Sequence, residues 1–137
     1  MDSFGIFKVS ASALAAQRQR MNVIASNMAN AQSTKTVEGG PYRKQDVVFT
    51  TDPLEAGQDE LVGVKVSGIV KDDSPLKTVY DPGHPDADKD GYVAMPNVNI
   101  IEEMVNMMMA SRAYEASVSA FNMSKAMFMK TLDLGSV

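Results

Sequence analysis

The chain has 137 residues, 45% of them hydrophobic, with 13 basic and 17 acidic side chains and no cysteine. One domain's length with enough apolar content for a core excludes a disordered or fibrous chain, and the missing cysteine excludes disulfides, cysteine zinc sites and thiol nucleophiles. The net charge of −4 is unevenly spread, with four basic and one acidic side chain in residues 1–35, six and twelve in 36–97, and three and four in 98–137. No basic stripe is present to neutralise phosphates, so no nucleic-acid surface is expected.

The first expected element is a helix. After Ser3, a suitable N-cap beside Asp2, the positions Phe4, Phe7, Ala11, Leu14, Arg18, Met21, Ala25 and Met28 step alternately by three and four, and only Arg18 breaks the apolar seam. That is the spacing of a narrow coiled-coil stripe. The helix should fade near Asn30, where the chain turns polar and glycine-rich. "SALAAQ" (12–17) faintly resembles a signal-peptidase site, but Asp2 and Lys8 interrupt the apolar region before it. Neither a cleaved signal nor a membrane anchor is therefore expected, and stretches such as "MVNMMMA" (104–110) fall well short of the roughly 20 residues a membrane span needs.

The middle of the chain alternates with period two between glycines and prolines. "LVGVKVSGIV" (61–70) places Val62, Val64, Val66 and Val70 on one face, and "YRKQDVVFT" (42–50) and "LKTVY" (76–80) read as neighbouring strands. "DADKDGY" (86–92) sets Asp86, Asp88 and Asp90 before Gly91 in the manner of an EF-hand loop. Such a loop closes on a bidentate Glu at its twelfth position; here that residue is Asn97, preceded by Pro96, so a solvated acidic turn is the favoured reading. His84, between Gly83 and Pro85, reads as a turn residue, because acid–base work needs an oriented partner the sequence does not reveal. With no nucleophile motif and no phosphate loop, neither an enzyme nor a cofactor is expected.

A second, stronger helix follows Pro96, with Asn99 as cap and Glu102 three residues on. Ile100, Met104, Met107, Ser111, Tyr114, Val118, Phe121, Lys125, Phe128 and Leu132 step by four and three until Gly135 offers a stop. About 33 residues at about 1.5 Å each make this helix roughly 50 Å long. A second row, Ile101, Val105, Met108 and Met109, makes its first turns apolar nearly all round, which calls for partners on more than one side. The methionines read as flexible packing between helices in preference to a metal surface.

These elements give an α+β chain: long N- and C-terminal α-helices (1–35 and 98–137) paired as a coiled coil, with a small β-rich middle insertion (36–97). The middle is too small to bury two long helices, so the chain reads as a self-assembling or assembly-docking structural protein. The alternative is a calcium-responsive helical binding module using Asp86, Asp88 and Asp90.

Two segments carry a family resemblance. "MNVIASNMANAQST" (21–34) resembles the N-terminal signature of bacterial flagellar rod and hook proteins through Ala25, Ser26, Asn27, Ala29, Asn30 and Thr34. "NVNIIEEMVNMMMASRAYEASVSAFNMSKAMFMKTLDL" (97–134) resembles its C-terminal half through Glu103, Met104, Val105, Asn106, Met107, Arg112, Ala113, Tyr114 and Glu115. The middle and the length are similar to the proximal-rod branch of that family. Asn99 stands where that family often has aspartate, a change that retains capping.

The resemblance implies a structural subunit of the flagellar basal-body rod that transmits torque from the membrane ring toward the hook. It implies self-association, other proximal rod proteins and the membrane-embedded ring as partners, a location spanning the periplasm, and type III export without a cleaved signal peptide. It also implies terminal segments that order on assembly, which defers burial of a methionine-rich seam to the growing rod. From the two heptad runs, Phe4, Phe7, Leu14 and Met21 are expected to pack on Met104, Met107, Tyr114, Val118, Phe121 and Phe128 within a subunit, with the second row facing neighbours. Asn27 and Asn30 are expected to bond helix to helix across the assembly and set register. Arg112 and Glu115, three apart, are candidates for the interface or for a solvated pair.

Overall fold

The computed structural model of the chain describes residues 3–53 and 61–135. Helix α1 (Ser3–Ala29) is followed by strands β1 (Gln45–Pro53), β2 (Val62–Lys71), β3 (Lys77–Tyr80) and β4 (Tyr92–Met95), and helix α2 (Ile100–Gly135) ends the described chain. The α+β expectation, with helices at both ends of a small β-rich middle, is met. The described helix of α1 begins at Ser3 itself, and Asp2, expected beside the helix dipole, lies outside the described residues.

Helix α1 has no proline to break it and closes where the sequence turns polar. The Asn30 N–H donates to Ser26 O at 3.0 Å and its side-chain Nδ2 donates to the same carbonyl at 2.9 Å. Asn30 thus closes the last turn of the helix twice over, its side chain adding a second bond to a carbonyl that its own N–H already reaches. Helix α2 starts as expected at Asn99, whose Oδ1 accepts from Ile101 N at 3.1 Å and Glu102 N at 3.4 Å. Glu102 reaches Lys44 Nζ at 3.2 Å. With 27 and 36 residues, the helices run about 40 and 54 Å at about 1.5 Å per residue.

Between them lie two antiparallel ribbons, β1–β2 and β3–β4. β1 pairs with β2 from Gln45↔Lys71 to Pro53↔Val62, with a bulge between Val48 and Phe49 where Ser67 is the extra residue and its Oγ donates to Val48 O at 3.1 Å. The strand expected from 42 begins only at Gln45, because the Lys44 N–H is taken by Asn97 Oδ1 at 2.8 Å. The strand expected at 76–80 pairs with β4, an element the sequence reading did not assign. "YVAM" is only four residues long, too short for its alternation to stand out.

Most of the buried side chains lie along the second half of α1, the first turns of α2 and around β4. They are Ala16, Val23, Ile24 and Asn27 on α1, Glu103 and Ala110 on α2, and Val93, Pro96 and Val98 in and just after β4. The helices are antiparallel, since Phe7 near the start of α1 meets Phe121 and Phe128 late in α2 edge-on, while Asn27 meets Glu103.

The expected stripes are corrected in detail. On α1, Phe7, Leu14, Met21 and Met28 are half-buried as expected, but Phe4, Ala11, Arg18 and Ala25 are exposed. The β1–β2 ribbon also packs on α1, with Val64 N donating to Ser12 Oγ at 3.1 Å, so the buried face is wider than a two-helix seam and centred elsewhere. On α2 the inward row is Glu103, Met107, Ala110, Tyr114, Ser117, Phe121, Ser124 and Phe128. It shares Met107, Tyr114, Phe121 and Phe128 with the expected stripe, of which Ser111 and Val118 are also half-buried, whereas Ile100, Met104, Lys125 and Leu132 are exposed.

Candidate functional site

The two signature segments meet at a buried polar junction. Asn27 is fully buried and uses its whole amide: Nδ2 donates to Gln45 O at 2.8 Å and to Glu103 Oε2 at 3.0 Å, while Oδ1 accepts from Gln45 N at 2.9 Å and Tyr42 Oη at 2.9 Å. The side chain therefore acts toward Gln45 as a neighbouring strand's peptide group does, and pins the start of β1 to α1. Glu103, 1% exposed, also accepts from Asn106 Nδ2 at 3.2 Å and faces Lys44 Nζ at 3.5 Å. A second amide works alongside: Asn97 accepts from Lys44 N and donates to Asp72 O at 3.1 Å and Ser74 O at 3.2 Å.

The electrostatics of the junction are those of a closed, satisfied network. Burial acts against the charge on Lys44, but the hydrogen bond to Glu102 and the charges of Asp46, Glu103 and Glu102 outweigh it and hold its pKa above the ordinary value. Burial, and then the charge of Glu103, raise the Tyr42 phenol, keeping it neutral as a donor to Asn27. A satisfied buried network is specific in geometry, because removing a member takes a hydrogen bond from each of its partners.

The far end of the helix pair is aromatic. Phe7 stands edge-on to Phe121 with ring centroids 5.3 Å apart and to Phe128 at 6.0 Å, and Phe4 meets Phe128 at 6.1 Å. Such pairs add about 0.5–1.5 kcal/mol each beyond area burial. Leu14, Met21, Met107, Tyr114 and Val118 lie half-buried between the two ends.

Other expectations are displaced. Asn27 bonds inside the chain with every donor and acceptor it has, leaving none for a neighbour, so its expected bond across an assembly is corrected. Asn30 is occupied at the helix end, accepting from Ser33 Oγ at 3.1 Å besides its bond to Ser26 O. Met104 was expected against α1 but is 52% exposed, because Glu103 takes the inward position. Met104 instead joins Ile101, Val105, Met108 and Met109 in an exposed apolar patch on α2, and Met123, Met127, Met129 and Leu132 are exposed further along that helix. Arg112 and Glu115 lie on its exposed surface between the two groups.

The acidic turn is a structural device. Asp88 Oδ1 accepts from Asp90 N at 2.9 Å and Tyr92 N at 2.8 Å, and Asp86 Oδ2 accepts from Thr34 Oγ1 at 2.8 Å, tying the turn to the segment after α1. Gly91 turns the chain at φ +83°, where an added Cβ would stand 2.9 Å from Tyr80 Cε2. Among the described residues no group of three or more His, Asp or Glu side chains is placed to hold a metal ion. His84 Nδ1 accepts from Asp86 N at 3.0 Å, inside the same turn.

Of the junction, Tyr42, Lys44, Gln45 and Asn97 carry no signal of this role in the sequence, and Glu103 and Asn106 stand out there only as signature matches. A carboxylate between Ile101 and Met104 was the available signal, since one flank of that segment had to face inward.

Comparison with known proteins agrees at both ends. The family described as flagella basal body rod protein matches residues 7–35, and the flagellar basal body rod FlgEFG protein C-terminal family matches residues 89–134. Over 135 residues the chain is 49% identical to the flagellar basal-body rod protein FlgC of Salmonella typhimurium, covering 98% of this chain and 99% of the relative. It is 48% identical over 135 residues to that of Escherichia coli O157:H7, with the same 98% and 99% coverage. To that of Borreliella burgdorferi it is 45% identical over 149 residues, covering 96% and 97%.

Proposed function

The chain belongs to the FlgC family of flagellar basal-body rod proteins, a structural subunit of the basal body, and on that premise we propose that it assembles through its two terminal helices and carries torque along the rod. The division of labour is three-part: residues 1–35 and 98–137 make the assembly helices, and the β-rich 36–97 is an arm fastened to them. One observation carries this reading. The outer side of α2 exposes Ile101, Met104, Val105, Met108 and Met109 together, a contiguous apolar cluster of the kind that marks a protein–protein contact. Neighbouring copies and other proximal rod subunits cover that row, and the subunits nearest the cell meet the membrane-embedded ring. The protein works across the periplasm and reaches it through the flagellum's own export apparatus.

Torque suits this construction because a helix transmits twist through a continuous ladder of hydrogen bonds, and an antiparallel partner resists its bending. The test is Met108→Glu in a strain lacking its own copy of the protein. Met108 is 58% exposed, so the purified variant should keep the parent's helical content and unfolding midpoint. Swarming should be lost, while Lys89→Glu, on the exposed acidic turn, should swarm normally. Wild-type swarming by M108E would overturn the reading.

A further inference from the structure

We infer that the polar junction, and not the apolar stripe, sets the register in which α2 lies along α1. The stripe is repetitive. Phe7, Leu14, Met21 and Met28 of α1 and Met107, Tyr114, Phe121 and Phe128 of α2 are all half-buried and all recur every seven residues. Sliding one helix by a heptad, about 10.5 Å at about 1.5 Å per residue, again lays apolar on apolar, so the stripe accepts several registers.

The junction does not repeat. A slide of seven along α2 carries Asn27 from Glu103 to Ala110, which is fully buried with no side-chain acceptor to offer; in the other direction it runs past the first residue of α2, Ile100, to the level of the buried Pro96, which offers none either. Glu103 would then lose the Asn27 donor and keep Asn106, three residues on in the same helix, and removing a partner from a buried carboxylate is unfavourable. Asn97 reinforces the same register by holding the entry to α2 against Lys44, Asp72 and Ser74. The consequence reaches the surface: register decides which exposed residues of α1 stand beside the methionine row of α2. The inference concerns a single chain and stands or falls independently of the rod reading.

The test shifts the stripe by one whole repeat against the junction. A second copy of residues 111–117 is inserted after Ser117 in the full chain, which preserves the helix phase. The contacts Phe7–Phe121 and Asn27–Glu103 place Leu14 opposite the turn of α2 that contains Val118. Since the chain has no cysteine, introduced pairs oxidised with diamide and read by intact mass report the register cleanly. The parent should crosslink L14C to V118C and not to K125C. In the lengthened chain L14C should crosslink to S111C of the second copy, at least ten-fold over V118C. Preference for V118C, or equal yields, would show that the stripe decides and overturn the inference, as would indiscriminate crosslinking in the parent. If the lengthened chain does not fold, a chain lacking residues 111–117 gives the same decision: L14C to K125C supports the junction, and L14C to V118C refutes it. Loss of helix in both chains also refutes it, because a helix pair anchored at the junction tolerates a whole heptad.

Discussion

Asn27 and Asn30 belong to the same short signature, and the structure assigns them very different weights. Asn27→Ala removes four hydrogen bonds of 2.8 to 3.0 Å from a fully buried side chain. At a net contribution of about 0.5–1.5 kcal/mol each, the bonds sum to about 2–6 kcal/mol. Tyr42 and Gln45 are half-buried and can recover water, while Glu103 keeps Asn106 and Lys44, so the middle of that range applies. The expected loss is about 3–4 kcal/mol, a large share of the 5–15 kcal/mol typical of a folded domain. Asn30→Ala loses its bonds to Ser26 O and Ser33 Oγ at a helix end open to water, which should cost about 0.5–1 kcal/mol. Urea unfolding followed by far-UV circular dichroism measures both. An N27A chain within about 1 kcal/mol of the parent, or an N30A chain as destabilised as N27A, would refute the junction as a load on folding.

Gly91→Ala puts a side chain at φ +83° and 3.2 Å from Pro82 Cβ and should destabilise the chain by about 1–2 kcal/mol, whereas Gly68→Ala, with open space around it, should shift the midpoint little. Asp88→Ala loses the bonds from Asp90 N and Tyr92 N and should cost about 1–2 kcal/mol with or without millimolar calcium. A calcium-induced rise in Tm that D88A abolishes would revive the metal reading. Toward acid, the hydrogen bond and charge of Lys71 lower the pKa of Glu38, and the Ser74 hydroxyl and N–H lower that of Asp72. Their stabilisation is complete above the ordinary values of 4.5 and 3.8 and is lost as pH falls through the lowered folded values, so Glu38→Gln should flatten the acid limb of stability against pH. Toward alkali the sign reverses. Tyr42 and Lys44 have raised values, so their contributions are complete below about 10 and lost above it, and Tyr42→Phe should flatten that limb.

Local chemistry was enough to place the main elements. Alternating steps of three and four marked both helices, Asn99 marked the start of α2, and the prolines and glycines around residues 81–91 marked a turn whose missing twelfth ligand spoke against an EF-hand. The signatures at 21–34 and 97–134 named the family before any contact was known. What the sequence alone could not decide was which of two interleaved rows on α2 faces inward, since Glu103 and Met104 are adjacent and a row of step four and three runs through either. Hydropathy favours Met104. The helix itself sets Asn106 beside the carboxylate, but only the fold brings Asn27 and Lys44, both more than 50 residues away, and together these partners make burying Glu103 acceptable. The same holds for β4, a four-residue strand that exists because β3 lies beside it, and for Asn27, whose four hydrogen bonds go to Glu103 of α2, to Gln45 at the start of β1 and to Tyr42 just before it. Periodicity is written along one helix; the direction it faces is set by what packs against it.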